Sequence, residues 1–186
     1  MIGVVLAGGA SSRFGGRPKG LMPLKGRAMA LYAADVLAKV CSRVAIEAPE
    51  SAGYEVLGLP LLHALQAHKG KGPLAALATG LRHAKDDEFV AFAPCDMPLL
   101  DASIYRALMN GSGAYAQTAD GYEPLVAVLP ARALGVLAAA LTSDDLPRTH
   151  AVLDAAGAVP VMFKDRRAFT NVNTPADLER LAAEIP

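Results

Sequence analysis

Residues 2–20 read Ile-Gly-Val-Val-Leu-Ala-Gly-Gly-Ala-Ser-Ser-Arg-Phe-Gly-Gly-Arg-Pro-Lys-Gly. An unbroken apolar run, Ile2 to Leu6, ends in a glycine-rich loop that carries Arg13 and Lys19. A short apolar run with no polar alternation reads as a strand buried on both faces. Such strands belong to parallel sheets covered by helices, where ligands bind outside the carboxyl ends of the strands. The loop therefore sits where a ligand would be expected. Gly8 and Gly9 lack a Cβ, so their amides can approach an anion closely. Arg13 offers a planar fork of donors and Lys19 a mobile point charge. That donor set suits a triphosphate. A solvated surface loop is the plainer alternative, but the cations and glycines together at a strand end favour phosphate binding.

The remaining sequence keeps an α/β rhythm. Helical patterns are expected over 28–40, 73–84 and 101–109, with strands over 43–48, 57–62 and 89–93. Residues 114–118 and 125–129 flank Asp120-Gly121 as a hairpin. Helices over 131–141 and 150–156, a strand over 159–163 and a helix from Thr174 to about Glu184 complete the chain. The expected fold is a three-layer Rossmann-like α/β structure in one domain, residues 1–186. Its central sheet is mostly parallel, has helices on both faces and holds a small antiparallel hairpin-like insertion.

Bulk properties narrow the function classes. Lys plus Arg equals Asp plus Glu, 18 each, which argues against a general nucleic-acid binder. No run is long enough to span a bilayer, and the apolar start lacks a basic flank, so no signal peptide is read. Two cysteines without a Cys-x-x-Cys pattern give no zinc signature and fit a reducing cytoplasm.

Three further stretches carry chemistry. Pro94-Cys95-Asp96-Met97-Pro98 ends a buried strand. Locally, Asp96 reads equally as a turn aspartate or as a Mg²⁺ ligand, since Mg²⁺ takes one or two carboxylates plus water and phosphate oxygens. Lys69-Gly-Lys-Gly72-Pro73-Leu74 leads into a helix whose amino end suits an anion, although solvated lysines at a helix start explain it as well. In Phe169-Thr-Asn171-Val-Asn173-Thr174-Pro175-Ala-Asp177, the last residues form a helix-capping sequence. Asn171 and Asn173 alternate along an extended stretch.

These motifs resemble the nucleotidyltransferases of Rossmann-like fold. Leu6-Ala7-Gly8-Gly9-x-Ser-x-Arg13-Phe-Gly15 with Lys19 is similar to the loop that wraps the nucleoside triphosphate there. Cys95-Asp96-x-Pro98 is similar to the metal-binding motif, and Gly72-Pro73-Leu-Ala75 to a stretch lining the nucleotide. Phe169-x-Asn171-x-Asn173-Thr-Pro is similar to the pterin-binding motif of the molybdenum cofactor guanylyltransferases, the MobA type. The resemblance runs from Ile2 to about Leu181. It implies transfer of GMP from GTP to the terminal phosphate of molybdopterin with release of pyrophosphate. It also implies Mg²⁺ on Asp96, nucleotide contacts at residues 6–9, Arg13, Lys19, Gly72 and Pro73, and pterin contacts at Asn171 and Asn173. Cofactor-insertion proteins and molybdoenzyme chaperones are the implied protein partners.

The chain departs from that family's pattern at three places. Pro18 stands before the lysine where Asp is usual, Glu47 stands where Asn is usual, and His63 falls near the place of an Asp. A carboxylate can accept both N1–H and N2–H of guanine, so Glu47 and His63 are the expected base contacts. A cytidylyltransferase, a sugar-phosphate nucleotidyltransferase and a non-catalytic nucleotide-binding module stay open as alternatives.

Overall fold

The computed structural model describes residues 1–8 and 14–185. Gly9 and Arg13, both expected in the phosphate loop, lie outside the described residues. Seven strands form one sheet: β1 (Ile2–Leu6), β4 (Arg43–Glu47), β5 (Leu61–Leu62), β6 (Phe89–Pro94), β7 (Ala114–Thr118), β8 (Gly121–Pro130) and β9 (Val159–Met162). Their spatial order is β5-β4-β1-β6-β8-β7-β9. β1 pairs parallel with β4 and β6, β4 with β5, and β7 with β9. β8 runs antiparallel to both its neighbours, β6 and β7. The expected hairpin is therefore present, and it extends the main sheet. β8 turns back between β6 and β7, while β9 returns to the edge.

The period-two alternation of strands decides what each helix covers. Val5, Ile46, Ala91 and Ala93 point to one face, where they meet α1 (Met29–Ala38) and α3 (Ala102–Leu108). Val4, Leu6, Ala45, Val90 and Phe92 point to the other. There they meet α2 (Gly72–Leu81), α4 (Leu134–Ala140) and α5 (Thr149–Ala155). On α1 the buried residues include Ala30, Ala33, Ala34 and Leu37, the i, i+3, i+4, i+7 stripe of a helix packed on a sheet. Burying one such leucine contributes about 2 kcal/mol. All five residues of β1 are buried, as its unbroken apolar run requires.

The strand expected over 57–62 shrinks to Leu61–Leu62. Tyr54–Leu57 instead forms a single 3₁₀ turn, closed by Gly58 at φ +69°. Pro60, which has no N–H for a ladder, stands just before the strand. A second, two-stranded sheet pairs β2 (Pro23–Leu24) with β3 (Arg27–Ala28). Its turn residues Lys25 and Gly26 both take positive φ, the geometry of a tight hairpin loop. This sheet packs with Phe14, Met29, Val172 and Leu181 of α6 (Pro175–Glu184), so the carboxyl-terminal segment is held against the region after β1. No helix among the described residues is long and apolar enough to cross a membrane.

Candidate active site

The parallel register brings three strand ends level. Leu6 pairs with Glu47 on one side and with Pro94 on the other. The ladder runs slightly further: Ala7 N–H donates to Glu47 O (2.8 Å), and Cys95 N–H donates to Leu6 O (3.0 Å). The segments leaving β1, β4 and β6 therefore open into one cleft of about 770 Å³. Leu6, Ala7, Gly8, Lys19, Glu47, His63, Gly72, Pro73 and Asp96 all line it. Of the residues expected at the nucleotide site, those within the described part of the chain thus share one cavity.

Lys19 and Asp96 meet directly. Lys19 Nζ donates to Asp96 Oδ2 at 2.7 Å and to Asn173 Oδ1 at 2.7 Å. Lys19 opens a 3₁₀ turn, Lys19–Leu21, after an extended Pro18. Asp96 follows β6, and its carbonyl accepts the Val172 N–H at 2.9 Å. That bond docks the Asn171–Asn173 stretch beside Asp96, with Val172 fully buried. The capping box expected at α6 is formed: Asp177 N–H donates to Thr174 Oγ1 (3.1 Å), and Thr174 N–H donates to Asp177 Oδ2 (3.0 Å). Asp177 also accepts the Asn173 N–H at 3.1 Å, so the cap fixes the asparagine that holds Lys19.

The two asparagines have different settings. Asn173 bonds Lys19, whereas Asn171 lines a smaller adjoining cavity of about 220 Å³ with Asp96, Glu123, Leu125 and Thr149. Asp96 and Pro73 border both cavities. Burial, then the charges of Asp96 and Asp120, raise the Glu123 carboxyl above the usual carboxylate range.

The far wall of the large cleft is Glu47 and His63. Alternation along β4 turns Glu47 to the α2 face, like Ala45 and Leu6. The residue is 5% exposed, and its Oε2 has no hydrogen-bond partner among the described residues. Burial pushes its carboxyl up to about 7, against the opposing pull of His63. His63 Nδ1 lies 2.7 Å from Ala48 O, a contact in which Nδ1 carries the proton and donates it. A Cβ on Gly8 would come within 3.0 Å of Glu47 Oε2, so glycine there admits the carboxyl.

The second basic stretch divides. Lys69 lines the cleft, but Lys71 Nζ turns away to Leu141 O (2.5 Å) and Ser143 O (3.4 Å). The first turn of α2 supplies Gly72, Pro73, Ala75 and Ala76 to the wall. Burial and the Asp96 charge push the Cys95 thiol up to about 12, which makes it an inert packing group rather than a nucleophile. Among the described residues, no three His, Cys, Asp or Glu side chains group as a metal cage. Residues that the sequence pattern did not single out include Glu123 and Thr149 in the smaller cavity and Pro49 and Glu50 in the larger. Only the fold places them, because none stands in a motif.

A family model described as the MobA-like NTP transferase domain matches residues 3–159. A molybdenum cofactor guanylyltransferase of Yersinia pestis (strain Pestoides F) is 36% identical over 183 residues, covering 95% of this chain and 92% of the relative. The enzyme of the same name from Yersinia pseudotuberculosis serotype IB (strain PB1/+) matches to the same extent. Among solved structures, molybdopterin-guanine dinucleotide biosynthesis protein A from Archaeoglobus fulgidus superposes with a TM-score of 0.79 at 22% identity, over 100% of both chains. 4-Diphosphocytidyl-2C-methyl-D-erythritol synthase from Anaerococcus prevotii superposes with a TM-score of 0.73 at 10% identity, over 98% of this chain and 96% of the other. At these identities the structural likenesses speak for the fold.

Proposed function

The chain belongs to the MobA-like NTP transferase family, and from that membership we propose that it transfers GMP from GTP to the terminal phosphate of molybdopterin. The observation that carries this reading is that Asp96 borders both cavities and is bonded there by Lys19, which lines the larger one and is held by Asn173. One cavity is large enough for a nucleotide, and the other adjoins it where an acceptor phosphate would approach.

The acceptor phosphate attacks the α-phosphorus of GTP, forming the new P–O–P bond as the bond to pyrophosphate breaks. A phosphate nucleophile is already ionised at neutral pH, so no side-chain base is required. The barrier is electrostatic, because two anions must meet and a third must leave. Lys19 places its ammonium against the phosphates, and its bonds to Asp96 and Asn173 hold that charge in the cleft before the nucleotide arrives. The amino end of α2 faces the same cleft and favours anions. Glu47 takes the N1–H and N2–H edge of guanine in its ionised form, and these donors satisfy the oxygen that lacks a partner among the described residues. Asn171 offers a carboxamide to the pterin side.

Mg²⁺ fits this donor set. Asp96 presents a part-exposed carboxylate at the rim of both cavities, and a single carboxylate suits an ion that completes its shell with water and phosphate oxygens. When bound on Asp96, the ion neutralises charge on the phosphate oxygens. Arg13 is proposed to add a second cation from the phosphate loop, with Gly9 contributing a backbone donor. The chain is proposed to work in the cytoplasm and to pass its product to cofactor-insertion or chaperone proteins.

The test is pyrophosphate release with molybdopterin and each common nucleoside triphosphate in turn. GTP is expected to be used preferentially and to yield a guanylylated pterin. Preference for CTP would overturn the base assignment, and no release from any triphosphate would overturn the transferase reading.

A further inference from the structure

Tyr54 is 1% exposed, yet it belongs to none of the motifs above. It opens the 3₁₀ turn Tyr54–Leu57 in the segment that follows the cleft-lining residues Pro49 and Glu50. Its side chain runs under the floor of the site. The hydroxyl accepts the Gly20 N–H at 3.1 Å, a buried bond. Gly20 is the residue after Lys19. The hydroxyl thus holds the backbone beside the lysine that meets Asp96 in the cleft.

We propose that Tyr54 is a positioning residue for the transfer step, its hydroxyl setting the place of Lys19 by holding the Gly20 N–H. The inference rests on the functional reading above. The turn that carries Lys19 and Gly20 is itself closed, by Leu21 N–H to Pro18 O at 3.0 Å. The fit is close: a Cβ on Gly20 would lie 2.7 Å from the Tyr54 hydroxyl oxygen, 3.0 Å from Cε1 and 3.2 Å from Ala30 Cβ. Glycine at position 20 is therefore the condition for this bond. Burial holds the phenol well above its ordinary range, so it stays protonated and acts through geometry rather than as a base. Loss of the hydroxyl leaves a buried Gly20 N–H without its partner and frees the turn that carries Lys19. A shift of about 1 Å in a catalytic group can cost about a hundredfold in rate, and a partial relaxation correspondingly less.

The test is a double-mutant cycle on Tyr54→Phe and Gly20→Ala, read as kcat and KM for pyrophosphate release from GTP with molybdopterin. Thermal melts correct each rate for the folded fraction. Tyr54→Phe is expected to lower kcat about tenfold while leaving KM for GTP within about threefold, because the contacts at Glu47 and at the amino end of α2 are untouched. Gly20→Ala should do at least as much damage. The double variant should lose less than the product of the two single losses, because removing the hydroxyl relieves the clash with the new Cβ. A normal kcat per folded Tyr54→Phe molecule, or losses that simply multiply, overturns the positioning role. A wild type that uses another triphosphate overturns the guanine assignment alone, and the cycle is then read with that nucleotide. A wild type that transfers nothing overturns the transferase reading and this inference together.

Discussion

At the Lys19 end of the cleft, polar groups are already matched: the ammonium bonds Asp96 and Asn173 at 2.7 Å each, and the Asn173 backbone is fixed by the Asp177 cap. At the Glu47 end, a carboxyl sits 5% exposed with one oxygen lacking a partner among the described residues. The first region is preorganised and partly exposed, so ligand binding exchanges one set of charge contacts for another. The second carries a desolvation penalty that only a ligand with paired N–H donors relieves. The contrast teaches that a single site divides its tasks. Charge handling is built rigidly, and base recognition is left unsatisfied until the substrate arrives.

The largest effects should come from breaking the matched end. Asp96→Ala and Lys19→Ala are each expected to cost on the order of 3 kcal/mol of transition-state stabilisation, roughly a hundredfold or more in kcat/KM, with the fold intact by circular dichroism. Steady-state pyrophosphate release checks this, and near-normal rates would remove the residue concerned from the chemistry.

The unmatched end should show itself in stability. Glu47 has its carboxyl raised to about 7 in the folded protein, against an ordinary 4.5. The folded state therefore holds a proton that the unfolded chain gives up. Stability is fully present below about pH 4.5, falls as pH rises through about 7, and is flat above, by up to about 3 kcal/mol from this group. Glu47→Gln should flatten that decline in urea unfolding and raise stability at pH 8. The same variant should narrow the preference for GTP over ITP, which lacks the N2 amine. An unchanged pH slope would mean that the carboxyl is not desolvated in solution.

A smaller effect sharpens the link between the lysine and its carboxamide anchor. Asn173→Ala removes one hydrogen bond to a charged group, worth about 1.5 kcal/mol, so kcat should fall about tenfold with little change in stability. Smaller still, Thr174→Ala removes the cap of α6 and should cost about 1 kcal/mol, a drop in Tm of about 3 °C by calorimetry. Its effect on turnover should be below that of Asn173→Ala, since the cap acts on Lys19 only through Asn173.

Much of this site was legible in the sequence because its parts are local. The apolar run Ile2–Leu6 could only be a buried strand, and Thr174-Pro175-Ala-Asp177 spells a helix start. Asp96 follows an apolar stretch that ends a strand. Spacing alone did not reveal that Lys19 reaches Asn173 across 154 residues of chain. That contact depends on the β2–β3 hairpin and α6 packing around Leu24 and Val172, a cluster with no local signature. Tyr54 was silent for the same reason, since its role exists only once Gly20 is brought to it. Lys71 shows the converse. It stands in a basic glycine stretch that suggests phosphate contact, yet its ammonium is drawn to the carbonyls of Leu141 and Ser143 beyond the end of α4.

The central claim is that Lys19 and Asp96 serve one magnesium–triphosphate in the cleft beyond β1 and β6. A crystal structure with Mg²⁺ and a non-hydrolysable GTP analogue tests it most directly. The account predicts the metal on the Asp96 carboxylate, Lys19 Nζ within hydrogen-bonding distance of a phosphate oxygen, and guanine against Glu47. A nucleotide bound with its phosphates away from both Lys19 and Asp96, their ion pair left intact, would contradict it.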